Sequence, residues 1–244
     1  MARGSVAGRL LLTYRSVGIV PSPLGGTGRC HNRLSAPTVD GEGERMSTEA
    51  LPGYAKGRAK KAEILAQAVA IFGESGYSGA SLRDIAARCG ISHPGLLHHF
   101  PTKEALLLAV LEQRDVAARR QMAGAGTRGV ETLRRTVDLV RLNAGRRGIV
   151  ELFAVVSAEA TAADHRAHDY FVDRYEQSVE AIAVSYREAA EDGQLREGVD
   201  PQTAARQLIA VMDGMQVQWL LSDGRIDMLA PVRAQVQANL TVAL

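Results

Sequence analysis

The sequence predicts an all-α protein in two parts, a short N-terminal three-helix unit over residues 51–104 and a larger helical unit over 105–244. Three observations carry this. From about residue 57 onward, apolar residues recur at helical spacing along most of the chain. No stretch alternates apolar and polar side chains as a half-buried strand does, and there is no long repeat. Starts and stops are also marked: Ser81, Ser92, Thr102 and Asp200 stand before periodic runs, and Gly90 and Gly193 stand after them.

Residues 1–50 are rich in Gly, Pro, Ser and Arg and have no sustained period, so they read as a disordered extension or as the product of a mis-set start, with Met46 the alternative start. Leu10, Leu11 and Leu12 make too short an apolar run for a secretory signal. Ile64, Leu65, Ala68, Ile71 and Phe72 then mark a first amphipathic helix ending at Gly73 or Gly76. The stretch 81–104, SLRDIAARCGISHPGLLHHFPTKE, is the most informative. Leu82, Ile85, Ala86 and Cys89 lie on one helical face behind a capping-box-like start at Ser81 and Asp84. Gly90 makes the turn, and Ser92 caps a second helix with Pro94 in its first turn. Two short helices about a Gly turn form a helix-turn-helix, whose second helix enters the DNA major groove. Phe72, Leu82, Ile85, Ile91, Leu96 and Phe100 would form its core.

Thr102 caps a fourth helix carrying Ala105, Leu106, Ala109 and Val110. Leu133, Val137, Val140 and Leu142 suggest a fifth, broken by GRRG at 145–148, and residues 149–160 a sixth. A long helix over 164–192 carries Phe171, Tyr175, Val179, Ile182 and Tyr186. Asp200 and Pro201 open the next, and Met228, Val232, Val236 and Leu240 mark the last.

The string ISHPGLLHHFPTKEALL resembles the recognition-helix region of the TetR family of bacterial transcription regulators, at Ile91, Ser92, Leu96, His99, Phe100, Lys103 and Glu104. Leu97 departs from the family's usual Tyr at that position. EAAEDGQLREGVDP and ARQLIAVMDGMQVQWLLSDG look like the family's junction and penultimate helix, so the resemblance runs from about residue 57 to near the end. It implies a helix-turn-helix DNA-binding domain followed by an effector-binding and dimerisation domain. The implied function is a homodimeric repressor in the bacterial cytoplasm, released from a pseudo-palindromic double-stranded operator by a small-molecule effector. The same residues allow an activator or co-repressor-dependent regulator, or a helical ligand-binding protein that does not touch DNA.

By helical spacing Leu96, His99 and Phe100 turn inward, leaving His93, Pro94, Leu97 and His98 outward. The expected DNA contacts are Lys60, Ser81, Arg83, Ser92, His93, Pro94, Gly95, Leu97, His98 and Lys103. His93 can donate to guanine or phosphate, Pro94 and Leu97 offer only apolar contact to thymine methyls, and Arg83 can reach guanine or a backbone oxygen. Lys103 is a phosphate clamp in the family. Lys60 belongs to a basic group with Lys56, Arg58 and Lys61, a phosphate patch or simply a solvated helix start. The resemblance further implies an apolar effector pocket, for which Phe153, Tyr170, Tyr175, Met212 and Trp219 are candidates. Leu208, Met215, Leu220, Val232 and Val236 are candidates for the dimer seam, although a monomer core uses the same residue types.

The 46% apolar content with few aromatics suits a water-soluble helical protein, and no apolar run approaches the roughly 20 residues that span a bilayer, so no membrane partner is expected. The formal charge of +2 makes placement of charge more informative than its sum. Cys89, His93, His98 and His99 fit no four-ligand zinc spacing, and Asp164, His165 and His168 read as a helix start, so no metal is expected. No nucleophile elbow, paired-carboxylate setting or Gly-rich phosphate loop stands out, so neither an enzyme nor a cofactor is expected.

Overall fold

A computed structural model describes residues 52–124 and 127–244. The expectations for residues 1–50, including a start at Met46, fall outside the described residues. Helix α1 spans Pro52–Gly79 and buries Ile64, Leu65, Ala68, Ile71 and Phe72, the stripe its periodicity predicts. Gly73 does not end it. A Cβ there would lie 3.1 Å from the Leu152 amide nitrogen and 3.2 Å from the Glu151 Cβ, so this glycine lets a later helix cross closely. The break comes at Gly76, with φ +68° and ψ −177°, a conformation open essentially to glycine alone.

Four short-range devices then shape the chain. Ser81 accepts from the Arg83 amide (3.2 Å) to open α2, Leu82–Arg88. Gly90, at φ +62°, closes α2 with Gly90 N donating to Ala87 O and Ile91 N to Ala86 O, the paired bonds of a Schellman stop. Ser92 accepts from the Gly95 amide (3.1 Å) to open α3, His93–His99. Thr102 does the same for α4, Lys103–Met122, through the Ala105 amide. Each cap satisfies an otherwise unpaired helix-end donor.

The remaining helices are α5 (Gly129–Ala144), α6 (Arg147–Glu159), α7 (His168–Glu191), α8 (Pro201–Leu221) and α9 (Leu229–Ala238). Leu142 is 41% exposed, because it sits about 200° around the helix from Val140 while Leu133, Val137 and Val140 share the buried face. The long helix starts at His168 rather than 164, since residues 161–167 form turns. Asp200 caps α8 as its sequence predicts, accepting from the Thr203 amide at 2.7 Å. An isolated antiparallel bridge joins Leu195 to Leu240 and fastens the α7–α8 loop to the C-terminal segment.

Two apolar clusters fill the interior. The first gathers α1–α4 with Leu152, Phe153 and Val156 of α6 and Phe171 of α7. The second gathers α5, the rest of α7, α8 and α9 around Tyr186, Leu208 and Trp219. The first core therefore runs past residue 104 and seats α1, the helix that carries the helix-turn-helix, directly on α6. Replacing Gly76 by Ala is expected to cost about 1–3 kcal/mol. In a chain of this size that lowers the melting midpoint by roughly 2–4 °C per kcal/mol. Besides its backbone strain, the new Cβ would run into the Glu159 carboxylate. Gly90→Ala, with open space at its Cβ, carries the backbone penalty alone and should lose less. Equal losses in thermal unfolding would show that the Glu159 contact contributes nothing.

Candidate nucleic-acid interface and ligand cluster

The helix-turn-helix presents a fixed surface. Leu96 and Phe100 are buried and anchor α3, while Ser92, Pro94 and His98 are exposed and His93, Gly95 and Leu97 are half-buried. His99 is half-buried rather than fully inward, and its ring meets that of His98 edge-on at 5.7 Å. Arg83 is exposed on the first turn of α2, and Ser81 is half-buried at its cap. Lys56, Arg58 and Lys61 are exposed along α1, with Lys61 5.3 Å over the Phe100 ring.

Two cations expected on phosphate have other work. Lys60 Nζ donates to the Cys89 carbonyl (3.2 Å) at the end of α2 and pairs with Glu63 at 2.6 Å. Lys103 Nζ donates to the carbonyls of Tyr77 (2.8 Å) and Ala80 (3.1 Å), lies 3.4 Å from that of Ser78, and sits 4.6 Å over the Tyr77 ring. An ammonium has three donors, so these carbonyls engage Lys103 fully. The geometry thus makes both lysines struts: Lys60 fastens α1 to the α2–α3 turn, and Lys103 fastens α4 to the last turn of α1 and the residue that follows it. Beside the second strut, Glu159 of α6 accepts from the Tyr77 amide at 2.7 Å. His165 packs edge-on against Tyr77 (5.2 Å) and its Nδ1 accepts from the Ala167 amide, while His168 Nδ1 lies 2.8 Å from the Ala160 carbonyl. These histidines serve the α6–α7 connection.

Of the effector candidates, Phe153, Tyr170 and Tyr175 come together between α4, α6, α7 and α8. Phe153 packs on Phe171 at 5.3 Å, and the guanidiniums of Arg114 and Arg174 lie 4.0 and 4.8 Å from its ring centre. Asp115 holds the group together: its Oδ1 is 3.2 Å from Arg114 and 3.1 Å from Arg174, and its Oδ2 accepts the Tyr170 hydroxyl at 2.5 Å. Burial raises the Tyr170 hydroxyl well above its ordinary pKa, and the bond to Asp115 adds to this. Tyr175 donates to Asp213 Oδ2 at 2.8 Å. Met212 and Trp219 belong to the second core instead, with the Arg147 guanidinium 5.6 Å from the indole. Arg114, Asp115 and Arg174 gave no signal in the sequence, where charges within an amphipathic pattern read as solvated. Only the helix crossings turn them inward.

Three of the dimer candidates need correction. Leu208, Val232 and Val236 are 0% exposed within one protomer, where they pack α8 on α9, and so have no surface left for a second chain. Met215 and Leu220 are half-buried against the same core. Outward on α8 stand Ala210, Gly214, Val217 and Leu221, on one face by their spacing, with Leu221 82% exposed. Among the described residues no helix is long and apolar enough to cross a membrane.

Burial pushes the Asp213 carboxyl above its ordinary value, against the lowering effects of the Tyr175 hydrogen bond and Arg174. A carboxyl raised on folding stabilises the fold fully below its unfolded pKa. That contribution is lost as pH rises through the raised folded value. Asp213→Asn keeps an acceptor for Tyr175 and removes the buried charge. Thermal unfolding of variant and parent should therefore shift in favour of the variant between pH 4 and pH 7, and a constant difference would contradict the assignment.

Two family models match the chain: bacterial regulatory proteins of the tetR family over residues 64–110, and the BetI-type transcriptional repressor C-terminal region over residues 129–243. The HTH-type transcriptional regulator RutR of Escherichia coli (strain K12) is 47% identical over 55 residues, which are 22% of this chain and 26% of RutR, so the match spans about a quarter of that relative. The HTH-type transcriptional regulator UidR of the same strain is 27% identical over 175 residues, covering 70% of this chain and 84% of UidR. Among solved structures, a transcriptional regulator from Saccharomonospora viridis in complex with choline is 25% identical with a TM-score of 0.63, covering 75% of this chain and 98% of the other. With a capped helix-turn-helix inside the first matched region and an all-helical second region inside the other, the chain belongs to the TetR family of transcriptional regulators.

Proposed function

We propose that the chain is a homodimeric repressor that reads a pseudo-palindromic operator with α3 of each protomer and releases it when a small effector binds the larger domain, residues 105–244. The observation that carries this is the clamped helix-turn-helix. Ser92 and the Gly90 turn fix α3, the struts Lys60 and Lys103 fix its neighbours, and Pro94, Leu97 and His98 are left toward the outer side. Arg83 and the basic side of α1 suit the phosphates that set register, and His93 and His98 suit groove edges. Pro94 and Leu97 give this reader an apolar edge, suited to thymine methyls. The exposed stripe of α8 suits the two-fold seam, since Gly214 has open space at its Cβ and lets a partner helix approach. Such a dimer would set two recognition helices about 34–36 Å apart. The match to a repressor-type C-terminal region supports repression, and the neighbour solved in complex with choline supports a small-molecule ligand. The effector would act only through its differential affinity for DNA-competent and DNA-incompetent arrangements.

A regulator whose ligand strengthens DNA binding has the same fold, and the sign of the ligand's effect on operator affinity separates the two. The decisive experiment is selection of bound fragments from random DNA by the purified chain, and failure to enrich any palindrome overturns the proposal. With the operator in hand, Arg83→Ala should weaken binding and reduce the salt slope by about one. Leu97→Ala should change sequence preference and leave that slope unaltered. Leu221→Asp should yield monomers in sedimentation and a large loss of operator affinity with little change in helix content. A dimer of undiminished stability would move the seam elsewhere.

A further inference from the structure

Between α4, α5 and the start of α6 lies an open cleft. Arg114 and Gln121 of α4, Asn143 of α5 and Arg146 before α6 supply its polar lining, and Leu139 and Ile149 much of the apolar lining. No acidic side chain is among its lining residues. We propose that this cleft binds a small carboxylate with an apolar body, its carboxylate held between Arg114 and Arg146 and its body against Leu139 and Ile149. The inference rests on the regulator reading above and names the chemical class of its effector.

Charge is the first support. Arg114 is only 11% exposed, and it shares one oxygen of Asp115 with Arg174, so two guanidiniums draw on a single carboxylate over one Phe153 ring. Desolvation, and then the like charge of Arg174, bring Arg114 down to about 10. The next acid, Asp213, is itself pushed toward its neutral form and is engaged by Tyr175. An incoming anion would offset this excess at the largely buried Arg114, and charge-assisted bonds to a guanidinium fork are strong.

The second support is what the surroundings of Arg114 refuse. The Phe153 ring, which lies under the Arg114 guanidinium and outside the cleft's lining, is already met by two of the protein's own guanidiniums, and the nearby Tyr170 and Tyr175 hydroxyls are committed to Asp115 and Asp213. A cationic ligand entering beside Arg114 would meet repulsion and find no free acid. The third support is position. Arg114 lies on α4, which begins at the Lys103 strut, and α6 ends at the Glu159 clasp on Tyr77. An anion seated between these helices bears on the Lys103 strut and on the Glu159 clasp.

Calorimetry on the full chain with benzoate, phenylacetate and octanoate, each beside its neutral alcohol and its amine, and with choline, tests the inference. At least one carboxylate should bind tenfold or more tightly than its alcohol and its amine. Arg146→Gln, an exposed change that should leave the melting midpoint in place, should weaken that carboxylate at least tenfold, and Arg146→Lys should weaken it less. Arg114→Gln should abolish binding, but it can disturb the buried network, so Arg146→Gln is decisive. Absence of carboxylate binding, tighter binding of an amine or choline, or unchanged affinity in Arg146→Gln overturns the inference. Fragment selection on the ligand-free chain separates the two failures. A chain that enriches a palindrome and binds no carboxylate loses only this inference, and one that binds a carboxylate and enriches no DNA loses only the regulator reading.

Discussion

The rest of the structure depends on the close crossing of α1 and α6. Gly73 lets the two backbones approach, and three residues on, the chain turns at Gly76 through a conformation that side chains resist. The Glu159 carboxylate occupies the space a Cβ would need at Gly76 and accepts the Tyr77 amide just after the turn. Phe72 from one side and Leu152 and Val156 from the other share one apolar cluster. A packed interior is nearly incompressible, so a shift of α6 cannot be absorbed there and has to move α1. That mechanical fact gives a ligand on α6 a physical route to the DNA-reading end.

Electrostatics divides the basic residues into two kinds of work. Helix ends leave carbonyls without partners. Lys60 answers the end of α2 and Lys103 the end of α1, each from a different helix, so each also fixes an angle between helices. Holding a recognition helix at the right angle matters as much as touching phosphate, because base contacts need sub-ångström placement. The outward charges of Lys56, Lys61 and Arg83 are solvated and suit the long-range part of binding.

The Arg114–Asp115–Arg174 group is a different case, since buried ion networks add little net stability compared with apolar packing. Deleting one member, however, strands a charge at a cost of about 3–5 kcal/mol. Such a group is therefore locked in place without making the fold much more stable. On α8 the same economy of surface separates inward from outward residues: Leu208 faces α9, and Leu221 faces away from its own protomer.

The all-α class, the helix-turn-helix and all four caps at Ser81, Ser92, Thr102 and Asp200 were legible in the sequence, because each rests on interactions between residues at most four apart. The family strings placed the reader correctly for the same reason. The sequence left the break open between Gly73 and Gly76, because a stop glycine and a crossing glycine look alike until the second helix is present. Lys103 looked like a free cation until carbonyls some 23 to 26 residues earlier were brought beneath it. Leu208, Val232 and Val236 could not be assigned to core or seam, since apolar periodicity tells only that a face is covered. Periodicity and capping are local and written residue by residue. Which charge meets which, and which apolar face remains open, is decided by contacts between segments far apart in the chain, and these only the tertiary structure supplies.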